Sequence, residues 1–395
     1  MPYIEQLNAS SVRNLGDFRI EPSQKLNFFY GPNASGKTSI LESIYLLSRI
    51  RSFRSRRIND VITYGERKLQ VYAKGKKKGN PFSVGIEKGH GITKIRFDGE
   101  PIKTASKQAK LLPVYILTPN HDTLFTGPPK NRGHWLDWSL FHVERKYMST
   151  WKGYHRALRH RNALLKSDRR IDPLEISGWE RLMGQEATKM DLMRNSYVSD
   201  LNKLLNEKHA AYVLPGPVKI NYLNDNYKNF NLSDLLAAGR NEDEKRGYTN
   251  LGPHLSNVSF SYEDYNIINH LSRGQTKLFS AALVSSQVDK LKELGNNAVV
   301  LVDDLGAELD VDSSKKMLDL LLANDTQLFV SSLSCPEWIG QEHEGCGVFH
   351  VKHDFLDAWR RTRRALKHRN ALLRHDRIDE QSIAVWEREF AHWGN

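Results

Sequence analysis

The sequence predicts an α/β fold that is interrupted by a long helical segment. Three observations support this: a glycine-rich turn between an apolar strand and a helix near residue 35, an apolar strand that ends in two aspartates near residue 303, and helical spacing of apolar residues between 140 and 210. Strand and helix patterns alternate on both sides of that helical stretch. We therefore expect the two outer parts of the chain to form one α/β domain.

The glycine-rich turn fits Gly-x-x-x-x-Gly-Lys-Ser/Thr, the pattern of a phosphate-binding P-loop. Its glycines let backbone N–H groups close around a phosphate, the lysine reaches the β- and γ-phosphates, and the threonine hydroxyl can ligate Mg²⁺. A strand over 26–30 and a helix over 38–49 supply the expected context, and the helix N-terminus adds an anion site. The predicted nucleotide-binding residues are Gly31, Pro32, Asn33, Ala34, Ser35, Gly36, Lys37, Thr38 and Ser39.

Further strands are predicted on either side of this motif by alternating apolar residues. They cover residues 3–7, 18–20, 69–73, 82–86, 94–97 and 114–117. A basic stretch, residues 51–57, follows the helix that leaves the P-loop. It suits contact with DNA phosphates or with the nucleotide itself, and a solvated basic turn explains it equally well.

Residues 140–210 predict an antiparallel helical arm. Apolar side chains recur every three or four residues, in a seam wide enough for one partner helix but too narrow for a buried core helix. The two seams consist of Trp151, Tyr154, Leu158, Asn162 and Leu165, and of Met190, Met193, Tyr197, Leu201 and Leu204. Residues 213–250 are polar and rich in turns, and are expected to return the chain to the α/β domain.

The positive charge is concentrated in the arm. The formal net charge is +12, and residues 142–170 contain nine Lys or Arg against two Asp or Glu. A solvated helix face is the usual explanation of such a run, but this concentration favours nucleic acid as the partner. The candidate DNA-binding residues are Arg54, Arg56, Arg57, Arg156, Arg159 and Arg161.

The C-terminal half supplies the carboxylates that a P-loop needs. The apolar strand over 298–302 ends in Asp303 and Asp304, where Asp303 would hold the Mg²⁺ and Asp304 could orient or deprotonate the attacking water. Residues 272–275 precede a helix over 276–293 and suggest a second phosphate site. One nucleotide needs no second site on the same chain, so a head-to-tail homodimer that forms with ATP is expected.

Composition limits the cellular setting. The chain has two cysteines, Cys335 and Cys346, which excludes a disulfide framework and suits a reducing compartment. The N-terminus lacks the apolar stretch of a signal peptide, and no apolar run approaches the roughly 20 residues of a membrane span. We expect a cytoplasmic protein with no membrane partner.

The order of the motifs resembles the RecF family of SMC-like ATPases, which act in bacterial recombinational DNA repair. The resemblance covers residues 1 to about 353 and is carried by the P-loop, the inserted helices, Gly-Pro-His at 252–254, Leu-Ser-Arg-Gly-Gln at 271–275, Asp-Asp-x-x-x-Glu-Leu-Asp at 303–310 and Phe-His-Val at 349–351. It implies an ABC-type (SMC-like) P-loop ATPase head with an inserted antiparallel helical arm.

The resemblance also implies residue roles. Lys37, Asp303 and Asp304 would be catalytic, with Thr38 and Asp303 at the metal. Ser272, Arg273, Gly274 and Gln275 would form the signature that acts in trans, and Ala307, Glu308, Leu309 and Asp310 the D-loop at the dimer interface. Ser331 and Ser332 stand where ABC ATPases usually place a histidine, so slow hydrolysis that acts as a switch is expected.

Partners follow from the same resemblance. The family binds duplex or gapped DNA as an ATP-bound dimer, and it works with RecR and RecO to load recombinase. The resemblance also implies a part in the SOS response and a location at the nucleoid. The alternative is an ATPase subunit of another SMC-like or nuclease-linked complex. A transporter ATPase subunit is less compatible with the sequence. Such a subunit needs a membrane partner and is not expected to carry a basic arm.

The predicted domains are an N-terminal head part over 1–139, the arm and return over 140–249, a C-terminal head part over 250–353, and an extra helical segment over 354–395. This last segment repeats residues 146–183: Ala-Leu-Arg-His-Arg-Asn-Ala-Leu-Leu at 157–165 returns as Ala-Leu-Lys-His-Arg-Asn-Ala-Leu-Leu at 365–373. Recombination, a fusion or a sequence-assembly error explains the repeat. It is expected to be a loosely docked helix without function, or else a second DNA-contacting or arm-pairing helix.

Overall fold

The computed structural model describes residues 3–360, apart from 121, 168–170, 210–212, 214–215, 229, 264, 268–269, 340–344 and 353–354. Contacts divide the chain into two units, Met1–Pro119 with Gly295–Asn395, and Asn120–Leu294. These limits differ from the predicted boundaries at 139/140 and 249/250, which followed the change of periodicity. The helix after Leu-Ser-Arg-Gly-Gln consequently belongs to the second unit.

The first unit contains an antiparallel sheet of six strands in the order β2-β1-β4-β5-β6-β7. Its strands are β1 (Tyr3–Ser10), β2 (Phe18–Ile20), β4 (Lys68–Lys77), β5 (Asn80–Gly89), β6 (Ile92–Phe97) and β7 (Glu100–Pro101). Every strand predicted in this region is present, because alternation of apolar and polar residues marks a sheet that has one buried face.

A second six-stranded sheet in the same unit carries the P-loop, in the order β15-β14-β3-β13-β12-β8. Its strands are β3 (Leu26–Tyr30), β8 (Val114–Leu117), β12 (Val299–Val302), β13 (Gln327–Ser332), β14 (Gly347–Lys352) and β15 (Phe355–Arg360). All neighbouring pairs are parallel except β14 and β15. All four residues of β12 are buried, as expected for a strand covered on both faces of a parallel sheet.

Helix α1 (Lys37–Arg49) lies in the core of this unit and contacts strands of both sheets. All residues from Ser39 to Ser48 are buried, so the helix that begins at the P-loop is fixed along nearly its whole length. The unit also contains α2 (Ala105–Leu111), α10 (Val311–Leu322) and a 3-10 turn over Ile58–Asp60.

The second unit is mainly helical. Its helices are α3 (Thr123–Thr126), α4 (Pro129–Val143), α5 (Tyr147–Leu165), α6 (Pro173–Leu204), α7 (Leu232–Ala238), α8 (Arg240–Arg246) and α9 (Arg273–Glu293), with a π-helical turn over Leu205–His209. A small antiparallel sheet, β11-β10-β9, contains β9 (Val218–Leu223), β10 (Asn257–Tyr262) and β11 (Tyr265–Asn266). The polar, turn-rich return expected over 213–250 includes a strand and two short helices.

Helices α5 and α6 form the predicted antiparallel pair. The rings of His160 and Trp179 stack at 4.3 Å near one end, and Arg194 Nε donates to the Tyr147 hydroxyl over 3.0 Å towards the other. The prediction of a seam for a single partner was wrong for α6, which also contacts α7, β9 and α9. Those elements lie outside the helix in the sequence, so periodicity within the helix gave no sign of them.

Part of the predicted extra helical segment has a different structure. Residues 355–360 form strand β15, which pairs with β14 from Gly347 to Lys352. The edge of β14 offers unpaired backbone groups that a following extended segment can satisfy. The remainder of the predicted segment, 361–395, lies outside the described residues. Within the described part of the chain, no helix is both long and apolar enough to cross a membrane.

Candidate nucleotide-binding site

The P-loop connects β3 to α1, and its backbone requires glycine at two positions. Gly31 has φ +151°, and a Cβ placed there would lie 2.1 Å from the carbonyl oxygen of Val351. Gly36 has φ +105°, and its Cβ would lie 2.2 Å from Leu15 Cδ2. The motif thus needs glycine at these two positions for two reasons: neighbouring atoms leave no room for a Cβ, and glycine adopts a positive φ without strain.

Two P-loop side chains are arranged for an anion. Lys37 Nζ donates to the carbonyl oxygens of Gly31 and Pro32, over 2.7 Å in each case, which holds the ammonium inside the loop. Burial lowers the pKa of Lys37, and the carboxylates of Asp304 and Asp303 oppose that change. The buried Ser35 hydroxyl has no hydrogen-bond partner within the described part of the chain. This donor and the ammonium fit a phosphate group.

The expected metal ligands lie side by side. Thr38 Oγ1 donates to Asp303 Oδ1 over 2.8 Å, which joins α1 to the carboxyl end of β12. Ser331, at the end of the adjacent strand β13, donates to the same oxygen over 2.8 Å. Burial raises the pKa of Asp303, and the two hydroxyl hydrogen bonds act in the opposite direction. A hydroxyl and a carboxylate oxygen are the ligands that Mg²⁺ prefers.

Asp304 is held in an unusual backbone conformation. Its φ is +55°, and its N–H donates to Ser331 Oγ over 2.9 Å. A positive φ in a residue other than glycine is costly and often found at functional sites. Ser331 therefore orients both aspartates, a role that the sequence did not reveal beyond the position of two serines at a strand end.

Asn14 is a second residue that sequence reasoning missed. Its side-chain Nδ2 donates to the carbonyl oxygen of Ala34 over 2.7 Å, and its Oδ1 accepts a hydrogen bond from Ser39 over 3.3 Å. The asparagine lies between β1 and β2 and has no motif around it. It links that loop to the centre of the P-loop and to the first turn of α1.

The predicted signature forms the start of α9 in the second unit. Ser272 caps the helix by accepting the N–H of Gln275 over 3.2 Å, while Gln275 Oε1 accepts the N–H of Ser272 over 2.9 Å. Ser272, Arg273 and Gln275 are exposed. This is a capping box, and it presents the helix N-terminus to solvent.

The predicted D-loop lies between β12 and α10. Asp310 caps α10 by accepting the N–H of Ser313 over 2.7 Å, which lowers the pKa of its carboxyl. Glu308 has φ +67° and is exposed. Asp310 thus has a local structural role, in addition to the interface role implied by the resemblance.

The candidate DNA contacts fall into two classes. The arginines of residues 51–57, with Arg156 and Arg159, have exposed side chains, as a DNA contact requires. Arg161 does not: its side chain is fully buried, where it donates to Glu180 and Asp243 over 3.1 and 2.7 Å. Its prediction as a DNA contact was wrong, because this guanidinium joins α5 to α6 and α8 inside the second unit.

Comparisons with known proteins agree with this geometry. The model of the RecF/RecN/SMC N-terminal domain family matches residues 3–356. The DNA replication and repair protein RecF of Pseudoalteromonas translucida is 32% identical over 359 residues, covering 89% of this chain and 99% of the relative. The RecF protein of Pseudomonas paraeruginosa is 32% identical over 358 residues, covering 89% of this chain and 96% of the relative.

The chain belongs to the RecF family.

Solved structures show the same fold for this RecF-family chain. The recombination mediator protein RecF with ATP, in the RecFOR pathway, superposes with a TM-score of 0.80 at 22% identity, over 91% of this chain and 98% of that one. An Smc head bound to the C-winged helix domain of ScpA superposes with a TM-score of 0.59 at 15% identity, over 93% of this chain and 100% of that one. The predicted ABC-type (SMC-like) P-loop head with inserted helices is confirmed.

Proposed function

We propose that this RecF-family chain is a DNA replication and repair protein that binds DNA and dimerises in response to ATP, with slow hydrolysis as the switch. The observation that carries this is the cluster of Thr38, Asp303 and Ser331 beside a P-loop whose lysine lies within the loop. The name shared by the curated relatives supports a role in replication and repair.

In this proposal Lys37 and the P-loop N–H groups bind the β- and γ-phosphates of ATP. Thr38 and Asp303 hold Mg²⁺, which would neutralise phosphate charge when bound. Asp304 orients or deprotonates the attacking water. Ser331 occupies the position at which a histidine is usual in ABC ATPases, and its hydroxyl is already used to bind Asp303 and Asp304, which supports slow hydrolysis.

Dimerisation follows from the exposed signature. The Ser272 turn at the start of α9 offers a capped helix N-terminus that is suited to a phosphate. In a head-to-tail pair it would bind the γ-phosphate held by the other chain, with residues 307–310 at the interface. ATP would then be buried between two chains, and its hydrolysis would release them.

DNA contact is proposed for one face of α5. Four basic side chains recur along it at spacings of three, four and seven residues, and all are exposed: Lys152, Arg156, Arg159 and, directly after the helix, Lys166. Residues at such spacing share one face of a helix, so they form a continuous stripe. A row of cations about 20 Å long suits the phosphate backbone of duplex or gapped DNA. Arg54, Arg56 and Arg57 remain further candidates.

Family membership supports the remaining parts of the proposal. Partnership with RecR and RecO is compatible with the RecFOR pathway named for the structural relative. A cytoplasmic, nucleoid-associated location follows if the chain binds chromosomal DNA.

Light scattering tests the proposal directly. The full chain and Lys37→Met are measured with ATP and with ADP, each with and without duplex DNA. We expect a dimer with ATP that needs Lys37 and is favoured by DNA. A monomer under every condition, with ATP still bound, would contradict the trans-acting signature. Deleting residues 361–395, which keeps strand β15, then shows whether the remainder of the repeated segment prevents assembly.

A further inference from the structure

The loop between β1 and β2, residues 11–17, lies against the P-loop. Asn14 Nδ2 donates to the carbonyl oxygen of Ala34 over 2.7 Å, in the middle of the phosphate-binding turn. Leu15 packs against the second fixed glycine of the motif, since a Cβ on Gly36 would lie 2.2 Å from Leu15 Cδ2. The β1–β2 loop thus contacts the P-loop at two of its residues.

The β1–β2 loop is itself fixed by other parts of the first unit. The N–H of Arg13 donates to the carbonyl oxygen of Val61 over 2.8 Å. The carbonyl oxygen of Ser11 accepts the N–H of Thr63 over 3.0 Å. Arg13 Nε and Nη2 also donate to the two carboxylate oxygens of Glu42, which is 0% exposed on α1, over 2.8 and 2.9 Å. Such a bidentate pair is a strong constraint, so these contacts hold the loop independently of the P-loop.

Ala34 has a strained backbone. Its φ is +62°, in the left-handed region that residues with a Cβ seldom adopt. Such a conformation persists only where neighbouring contacts hold it. The amide of Asn14 is such a contact, because it binds the carbonyl oxygen of the strained residue. That carbonyl and the N–H of Ser35 belong to one planar peptide group, so the hydrogen bond also fixes the direction of a P-loop N–H.

We propose that Asn14 is a positioning residue of the P-loop, whose amide keeps Ala34 in the backbone conformation that binds the phosphates of ATP. This role rests on the proposed function and deepens it. Without the amide, Ala34 would leave the left-handed region in most molecules, and the apparent affinity for ATP would fall with the fraction that remains competent. Glycine adopts positive and negative φ about equally, so Ala34→Gly should make Asn14 nearly dispensable.

A double-mutant cycle tests this role. The affinity of a fluorescent ATP analogue, together with kcat and KM for hydrolysis, is measured for the full chain as wild type, Asn14→Ala, Ala34→Gly and the double variant. We expect Asn14→Ala to weaken ATP binding about fivefold, the size of one neutral hydrogen bond. In the Ala34→Gly background the same change should weaken it at most about twofold, because about half of the molecules still hold the competent conformation.

The kinetic constants separate positioning of the binding loop from a part in the chemical step. KM for ATP should rise by the same factor in Asn14→Ala, whereas kcat at saturating ATP should hardly change, because bound nucleotide selects the competent conformation. Asn195→Ala is the matched control, since Asn195 Nδ2 also donates to a backbone carbonyl oxygen, that of Asp191 over 2.9 Å, at an exposed position on α6. It should leave KM and the ATP affinity at the wild-type values.

Asn14→Asp covers the case in which Asn14→Ala does not fold. It removes the donor to Ala34 but keeps an oxygen of the kind that accepts the Ser39 hydroxyl, over 3.3 Å in the wild-type chain. Its added charge would weaken ATP binding equally in both backgrounds, whereas the loss of positioning acts only with Ala34. The effect of Asn14→Asp should therefore be smaller in the Ala34→Gly background than in the wild type, by at least about twofold.

Two results would overturn the role of Asn14 alone. One is additivity, in which Asn14→Ala weakens ATP binding by the same factor in both backgrounds, as a direct contact of Asn14 with the nucleotide would. The other is an unchanged ATP affinity in Asn14→Ala, whether or not Tm falls, as a purely structural role would give. A wild-type chain that binds no ATP would instead overturn the proposed function, and the role of Asn14 with it.

Discussion

The hydroxyl of Thr38 donates to the carboxylate of Asp303 across 2.8 Å, although 265 residues separate them in the chain. This contact joins the first turn after the P-loop lysine to the strand that supplies the expected metal ligand. It links the two outer parts of the sequence at one point of the central sheet.

Asp303→Asn should reduce ATP affinity in the presence of Mg²⁺ by about 10- to 100-fold, the size of a lost charge-assisted contact of about 1.5–3 kcal/mol. Affinity measured with EDTA should hardly change, because the amide mainly removes the metal ligand. Titration with a fluorescent ATP analogue measures both. Asp312→Asn, at an exposed position on α10, is the matched control. Equal losses with and without Mg²⁺ would contradict the metal role.

Gly31→Ala should destabilise the chain by about 1–3 kcal/mol and abolish ATP binding, since its Cβ would overlap the backbone carbonyl of Val351 in β14. Gly16→Ala is the control, because a Cβ there meets nothing within 4 Å. Urea unfolding gives the stability change and nucleotide titration the binding. A Gly31→Ala chain with wild-type stability would show that β14 does not restrict the P-loop.

Arg161→Met should destabilise the second unit by about 3–5 kcal/mol, because it leaves Glu180 and Asp243 buried without their shared partner. Arg159→Gln should leave stability almost unchanged and lower DNA affinity. For this variant, the slope of log DNA affinity against log salt concentration should become less steep by about one. Thermal unfolding and DNA titration at several salt concentrations separate the two residues. A stable Arg161→Met chain with weakened DNA binding would reverse our assignment.

Mixed dimers should reveal the trans-acting signature. Lys37→Met cannot bind phosphate in its own P-loop, whereas Ser272→Arg blocks the site that its α9 offers to a partner. Each variant alone should be inactive, but an equal mixture should recover part of the wild-type ATPase rate, since one composite site is intact. A rate in the mixture no higher than the mean of the separate variants would argue against shared sites.

Stability should fall in mild acid because of His155. Burial is the main cause that lowers its pKa to about 4. The carboxylate of Asp137 opposes this shift, whereas His254, Arg194 and Arg159 add to it. The unfolded chain binds the proton near pH 6.5, so the stability contributed by the neutral ring is present above that pH and is lost as the pH falls towards 4. His155→Gln should flatten this part of the profile, measured by urea unfolding between pH 4 and 7. The exposed His90→Gln is the control.

The residues expected to bind a nucleotide could be recognised in the amino-acid sequence alone. The P-loop, the strand ending in Asp303 and Asp304, and the capped start of α9 are local patterns, because each depends on residues adjacent in the chain. The apolar run at 298–302 predicted a strand for the same reason, and the structure has β12 there. Local order was enough to indicate the family.

The surroundings of these motifs became apparent from the folded structure. Asn14 and Ser331 gain their roles from contacts with residues that lie between 20 and 28 positions away. Arg161 looked like its exposed neighbours Arg156 and Arg159 until α6 and α8 were seen to enclose it. The physical reason is that burial and charge pairing depend on which distant elements pack together, and no local pattern encodes this.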